Sequence, residues 1–379
     1  MSLPETTILA ARHLQVRDRL ASQNLDGLVV TAPANIRYLT NHAGSAGTLV
    51  VTRSQMHLLV DTRYEEAVRR VQNSPSACAG LEVWPVPDSY EEALVDALAR
   101  LDGPVVVGIE AGHLVVGRYE WLNRTLDARR IPVSLRATDQ VVEQSRVIKD
   151  PVEIATLREA AVRLEGVALA AFGAVRAGVT EMEVAGVIEA AIRAAGYEAP
   201  AFDTIVASGP NSALPHHRPG RRRLVDGDLV VLDFGGVLDG YCSDLTRTVS
   251  VGTPSPDAER LHAAVLDAQQ AALDAIRPGV ASSAVDDAAR QALVARGLGE
   301  AFGHGTGHGL GLDIHEEPRV GRRRTGQAET LLQPGMVFTV EPGVYLPGLG
   351  GVRIEDDVLV TANGHERLTT VPRELVGLG

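Results

Sequence analysis

The stretches VDGDLVVLD (Val225–Asp233) and QPGMVFTVE (Gln333–Glu341) each pass from a turn glycine into an apolar strand and end on an acid six residues after that glycine. The likeness extends upstream. Arg176-Ala177-Gly178-Val179 resembles Arg277-Pro278-Gly279-Val280 at an offset of 101, and each leads into an alanine-rich helix that closes near Gly196 or Gly297, again 101 apart. Helix, turn, strand and acid recurring in one order point to an internal repeat of two supersecondary units.

Each strand-end acid is followed by a second one. Asp233 precedes Gly235-Gly236 and then Asp244, while Glu341 precedes Pro342-Gly343 and then Glu355, beyond the turn Gly348-Leu349-Gly350-Gly351. Carboxylates on buried strands are costly unless paired, hydrogen-bonded or metal-bound. Taken singly, each is more often a turn cap or the partner of an arginine such as Arg247 or Arg353. Taken together, with no lysine near them in sequence, they ask for a cation.

Between the acid pairs lies FGHGTGHGLGLDIHEEP, Phe302–Pro318, which places His304, His308 and His315 among Gly303, Gly305, Gly307, Gly309 and Gly311. That much glycine argues against helix and for an extended or looped segment. In a strand, His304 and His308 share a face, and His315 falls opposite unless the chain turns. Acids in repeat-related places plus an imidazole make the ligand inventory of a two-metal hydrolase. Oxygen ligands with one imidazole suit manganese, cobalt, iron or zinc better than copper.

Upstream, Asp150-Pro151-Val152-Glu153 supplies N-cap, N1 proline and N3 acid for a long helix whose apolar face runs through Leu157, Ala161, Leu164 and Ala168. The fold class expected is α/β (α+β): a small amino-terminal α/β domain, residues 1–140, and a repeat-built domain, residues 141–379. In the first domain, a helix over Leu9–Leu25 turns at Asp26-Gly27 into the strand LVVTAP. Further strands are expected at Thr48–Val51, Met56–Asp61 and Pro104–Glu110, and helices at Tyr64–Val71 and Glu91–Leu101. No dinucleotide glycine fingerprint or phosphate-loop lysine is present.

The formal charge of −12 and pI near 5.4 exclude nucleic acid or an anionic membrane as the main partner. The runs Arg221–Arg223 and Arg322–Arg324 therefore read as solvated loops. Lys149 is the only lysine in the chain, a compositional preference for arginine. Cys78 and Cys242 are too few for a disulfide framework or a cysteine zinc site. The amino-terminal stretch lacks an apolar signal core, and no run of ~18 apolar residues occurs. A soluble, cytoplasmic protein is expected.

The segments SGPNSALPHHRP, LDFGGVLDGYCSDLTRT, GHGTGHGLGLDIHEEP, VEPGVY and GGVRIED resemble, in order, the signature segments of the pita-bread metallopeptidases, which include methionine aminopeptidase, Xaa-Pro aminopeptidase and prolidase. NIRYLTNHAGSAG and VDTRY resemble the creatinase-like amino-terminal domain of the proline-specific branch. The resemblance implies a pita-bread catalytic domain with pseudo-twofold symmetry and two divalent metal ions per chain, manganese, cobalt or zinc. Asp233 would bind one metal, His308 and Glu341 the other, and Asp244 and Glu355 both. Glu341 would also act in catalysis, with His216 and His315 contacting substrate and the tetrahedral intermediate. His217 stands where the family more usually has glycine. Arg353 would support a carboxylate ligand. A homodimer acting on peptides with proline second is implied, with aminopeptidase favoured over dipeptidase. A creatinase-like C–N hydrolase and a non-enzymatic binding protein of the same fold are the rivals.

Overall fold

In the computed structural model, residues 3–323, 325, 326 and 328–379 are described. Of the arginine run at 322–324, Arg324 lies outside the described residues. The chain divides into two compact units, Met1–Arg146 and Val147–Gly379.

The first unit is a six-stranded sheet. Its strands lie in the order Leu81–Pro85, Met56–Val60, Thr48–Thr52, Gly27–Val30, Val105–Glu110, Val133–Thr138. Gly27–Val30 is buried along its whole length, parallel to Val105–Glu110 and antiparallel to Thr48–Thr52. The expected strand LVVTAP ends early, at Val30, because Pro33 opens the helix Pro33–Thr40. Proline suits a first helical turn and cannot donate to a ladder. Sequence patterning missed the two edge strands and the helix Val116–Ala128. Leu81–Pro85 is half exposed throughout, and the helix buries only Leu122 and Leu126, so neither has a strong apolar period.

In the second unit, Asp150 caps the helix Pro151–Ala174 as its sequence demands. Its carboxylate accepts from Val152 N and Glu153 N, and Glu153 returns a bond to Asp150 N at 2.9 Å. The repeat is explicit in the elements that follow. Glu181–Ala194 and Ser282–Ala295 are both 14-residue helices offset by 101. The turn glycines Gly178 and Gly279 hold φ of +87° and +83°, and the closing glycines Gly196 and Gly297 hold +85° and +73°. This left-handed region favours glycine at equivalent corners of both halves.

Each half contributes an antiparallel strand pair. Leu229–Leu238 pairs with Tyr241–Val251 in the first, and Val337–Val340 pairs with Asp356–Thr361 and touches Gly307–Gly309 in the second. One apolar core lies behind each sheet: Leu164, Ile188, Leu232 and Val249 in one, Val265, Val285, Phe338 and Val358 in the other. The helices cover the outer faces, which leaves the inner faces to carry the polar residues.

Candidate active site

Register decides which side chains meet. Asp233 is opposite Thr246, and Asp244 is opposite Gly235. Residues two apart on a strand share a face, so Asp233, Asp244 and Thr246 project together. Glu341 directly follows the strand Val337–Val340, and Glu355 directly precedes Asp356–Thr361. Glu355 N donates to Thr246 O at 3.1 Å, which joins the two sheets.

The histidine stretch forms the short strand Gly307–Gly309 and then turns back into Glu316–Val320. The turn brings the rings of His308 and His315 to 4.2 Å between centroids, although in one straight strand they would face apart. Glycine is required here by contact. A Cβ on Gly307 would lie 1.8 Å from the Thr339 carbonyl oxygen.

His308 Nδ1 lies 3.0 Å from the Gly309 carbonyl, so Nδ1 carries the proton and Nε2 presents its lone pair. That Nε2 is 3.5 Å from Glu341 Oε1 and 3.9 Å from Asp244 Oδ2. Ligand atoms of Asp244, His308 and Glu355 all lie within 4.8 Å of one another. Asp233 meets the group through Arg353, whose guanidinium donates to Asp233 Oδ2 at 2.5 Å. Thr246 Oγ1 donates to Glu355 Oε2 at 2.5 Å, and Thr339 Oγ1 to Glu341 Oε1 at 3.2 Å. Both threonines escaped the sequence reading, although each stands two residues from a ligand candidate on the same strand face.

Burial, reinforced by Asp233, Asp357 and Glu341, pushes Asp244 well above the usual carboxylate range. Burial does the same to Glu355, with Asp244, Glu341 and Asp233 adding to it. Glu341 is pushed up to about 7 by burial, with Asp233 adding and Arg353 and Thr339 opposing. Burial lowers His308 to about 4, so its imidazole is neutral at pH 7. Asp244 Oδ1 is buried with no hydrogen-bond partner. Crowded carboxyls, an orphaned carboxylate oxygen and a neutral imidazole with its lone pair presented to them are the donor set a divalent cation satisfies.

Two arginines differ from expectation. Arg247 pairs with Asp356 at 2.7 Å and donates to the carbonyls of Thr246, Glu355, Val371 and Pro372, so it braces the strands and leaves the four acids alone. Arg222, read as solvated, is forked onto Asp228 at 2.5 and 2.9 Å.

The histidines divide. His315 and His216 are exposed, whereas His217 bonds Glu181 Oε2 at 2.8 Å. His304 Nδ1 lies 2.8 Å from the Gly305 carbonyl, so its Nε2 accepts from Tyr345 OH at 2.9 Å. The Tyr345 oxygen in turn accepts from Arg353 Nη1 at 2.8 Å. Burial takes His304 to about 4, with Arg353, His216 and Arg290 adding to the fall and the Gly305 carbonyl opposing it. The chain Asp233, Arg353, Tyr345, His304 was invisible in sequence, because it joins residues up to 120 positions apart.

Acids from two sheets converge on one imidazole, and Asp244, His308 and Glu355 form a group that could hold a metal ion. Residues 155–362 match metallopeptidase family M24, and residues 12–148 match the creatinase/prolidase N-terminal domain. The chain belongs to metallopeptidase family M24 and is a hydrolase.

It is 36% identical over 354 residues to an Xaa-Pro dipeptidase of Pyrococcus horikoshii, covering 93% of this chain and 95% of that protein. Among solved structures, it is similar to an Xaa-Pro dipeptidase from Bacillus anthracis at TM-score 0.91 and 35% identity, covering 98% of this chain and 100% of the other. An X-Pro aminopeptidase from Thermotoga maritima matches at TM-score 0.84 and 33% identity, covering 95% and 99%.

Proposed function

We propose that this protein hydrolyses the bond between an N-terminal residue and a following proline, as an Xaa-Pro aminopeptidase using two divalent metal ions. The observation that carries this is the convergence of Asp244, His308 and Glu355 within 4.8 Å, in a chain whose relatives bear Xaa-Pro peptidase names. Asp233 would hold one ion, His308 and Glu341 the other, and Asp244 and Glu355 both. Manganese, cobalt and zinc all suit these ligands. When bound, the ions supply Lewis acidity and an activated water near neutral pH.

The chain's own groups do the rest. Arg353 and Thr246 fix the lone pairs of Asp233 and Glu355, so that each carboxylate is oriented before a ligand arrives. Glu341 moves a proton from the attacking water toward the leaving nitrogen. His216 and His315, both exposed, donate to the oxyanion that develops on the scissile carbonyl. Proline lacks an amide hydrogen and has a fixed φ, so a site fitted to its ring selects it by shape and by the missing donor.

A second reading, a strict dipeptidase, is favoured by the names of the Pyrococcus and Bacillus relatives. It must also recognise the carboxylate directly after proline and close off the space beyond it, which is usually done with an arginine. Arg37 and Arg63 are the candidates, but Arg63 is already forked onto Asp61 at 2.9 and 2.8 Å. A homodimer in the cytoplasm completes the proposal. Cys78 and Cys242 are both free and buried, and no helix among the described residues is long and apolar enough to cross a membrane.

The deciding measurement is kcat/KM for an Xaa-Pro dipeptide beside Xaa-Pro tri- and pentapeptides and their Xaa-Ala counterparts. Cleavage of the longer Xaa-Pro peptides supports the aminopeptidase. Cleavage of the dipeptide alone makes the enzyme a prolidase, and equal cleavage of the Ala peptides removes proline specificity.

A further inference from the structure

His216 sits in the loop between the strand Ile205–Ser208 and Leu229, whose only helical turn is the short 3-10 segment Gly209–Ala213. A loop with so little secondary structure needs other anchors if an exposed side chain on it is to hold one position. Glu181 supplies them. It stands at the start of the helix Glu181–Ala194, fixed there by the reciprocal cap of Thr180 and Glu183, and its side chain is fully buried.

Glu181 Oε1 accepts from Ser208 N at 2.9 Å, Ser208 Oγ at 2.7 Å and Asn211 Nδ2 at 2.9 Å. Its Oε2 accepts from His217 Nε2 at 2.8 Å and Gly220 N at 3.0 Å. Every one of these donors belongs to residues 208–220. From the opposite side, Arg353 Nη1 donates to the carbonyl of Pro215 at 3.2 Å. His216 is therefore held between two tied neighbours: the residue before it by its carbonyl, the residue after it by its ring.

We propose that His217 is a positioning residue for His216, pinning the loop to the buried carboxylate of Glu181 so that the neighbouring imidazole meets substrate already oriented. The inference rests on the catalytic role proposed above for His216. A residue at 217 with no side-chain donor, such as glycine, could not make this bond. The gain is entropic, since a preoriented group loses less freedom on reaching the transition state.

The test is a double-mutant cycle in the full-length, metal-loaded enzyme on an Xaa-Pro tripeptide. His217→Ala should lower kcat about tenfold with KM changed less than about twofold and metal content unchanged. His217→Gln, whose Nε2 can donate to the same oxygen, should return kcat to within about threefold of the parent. In a His216→Ala background, His217→Ala should have no further effect, because its influence passes through the missing ring.

An equal loss from His217→Ala with and without His216 would overturn the proposal, as would a His217→Gln enzyme no better than His217→Ala. An unaltered kcat in His217→Ala alone would do the same. A His216→Ala enzyme with full kcat fails differently. It removes the catalytic role proposed for His216, and the inference falls with it.

Discussion

The ammonium of Lys149 lies 3.0 Å from Glu316 Oε2, with the lysine side chain wholly buried and the carboxylate nearly so. The only lysine of the chain is thus spent on an internal ion pair beside the loop that carries His315. Glu316 Oε1 also accepts from Asp313 N at 3.0 Å, which closes the loop on itself.

Removing one member of a buried pair leaves the other charge without its counterion, at a cost of about 3 to 5 kcal/mol. Lys149→Met should lower the urea midpoint accordingly, and adding Glu316→Gln should recover part of the loss. An unchanged midpoint in the single variant would mean that the pair contributes nothing to stability.

Ligands and catalytic histidines should separate by metal content. His308→Ala and Asp244→Ala should lower both occupancy and activity, whereas His216→Ala and His315→Ala should lower turnover with metal largely retained. Elemental analysis after reconstitution with manganese, cobalt or zinc should give two ions per chain in the parent. A stoichiometry near zero with all three metals rules out the two-metal centre, and an emptied site in His216→Ala reverses the assigned roles.

His262 should contribute to acid sensitivity. It is buried on the helix Pro256–Ala275, its Nε2 has no hydrogen-bond partner, and burial lowers it to about 4, with Glu374 opposing and Arg247 adding to the fall. The folded value lies below the unfolded 6.5, so the unfolded chain binds the extra proton. The neutral ring's contribution is complete above about 6.5 and is lost as pH falls toward 4. His262→Leu should therefore show a smaller drop in urea midpoint between pH 7 and 5 than the parent. Parallel drops would show that this histidine does not titrate on unfolding.

Gly307→Ala should damage the site through the backbone. The added methyl would overlap the Thr339 carbonyl, forcing apart the strands that carry His308 and Glu341. A loss of about 1 to 3 kcal/mol is expected, with metal content reduced in parallel. Normal metal content and Tm in this variant would mean that the strands can part without moving the ligands.

What could be read without coordinates was local or repeated. The cap at Asp150 needs only four residues, and the offset of 101 between Gly178 and Gly279 reflects one corner built twice. The strand-end acids were legible because a turn glycine and an apolar run announce each of them. Lys149 and Glu316, 167 residues apart, offered no such signal, nor did Arg222 and Asp228, which sit within a stretch that reads as loop. The capture of His217 by the buried Glu181 was also hidden, because the two lie 36 residues apart.

The ion pair between Arg353 and Asp233 has a consequence for how the catalytic unit works as a piece of machinery. Asp233 comes from the first repeat and the guanidinium that aims it from the second, while Thr246 of the first repeat aims Glu355 of the second. Asp233 and Glu355 are thus each oriented by a side chain of the other half. The connection at residues 252–255, between the last strand of the first repeat and the helix Pro256–Ala275, therefore joins two halves that each hold a carboxylate in place for the other.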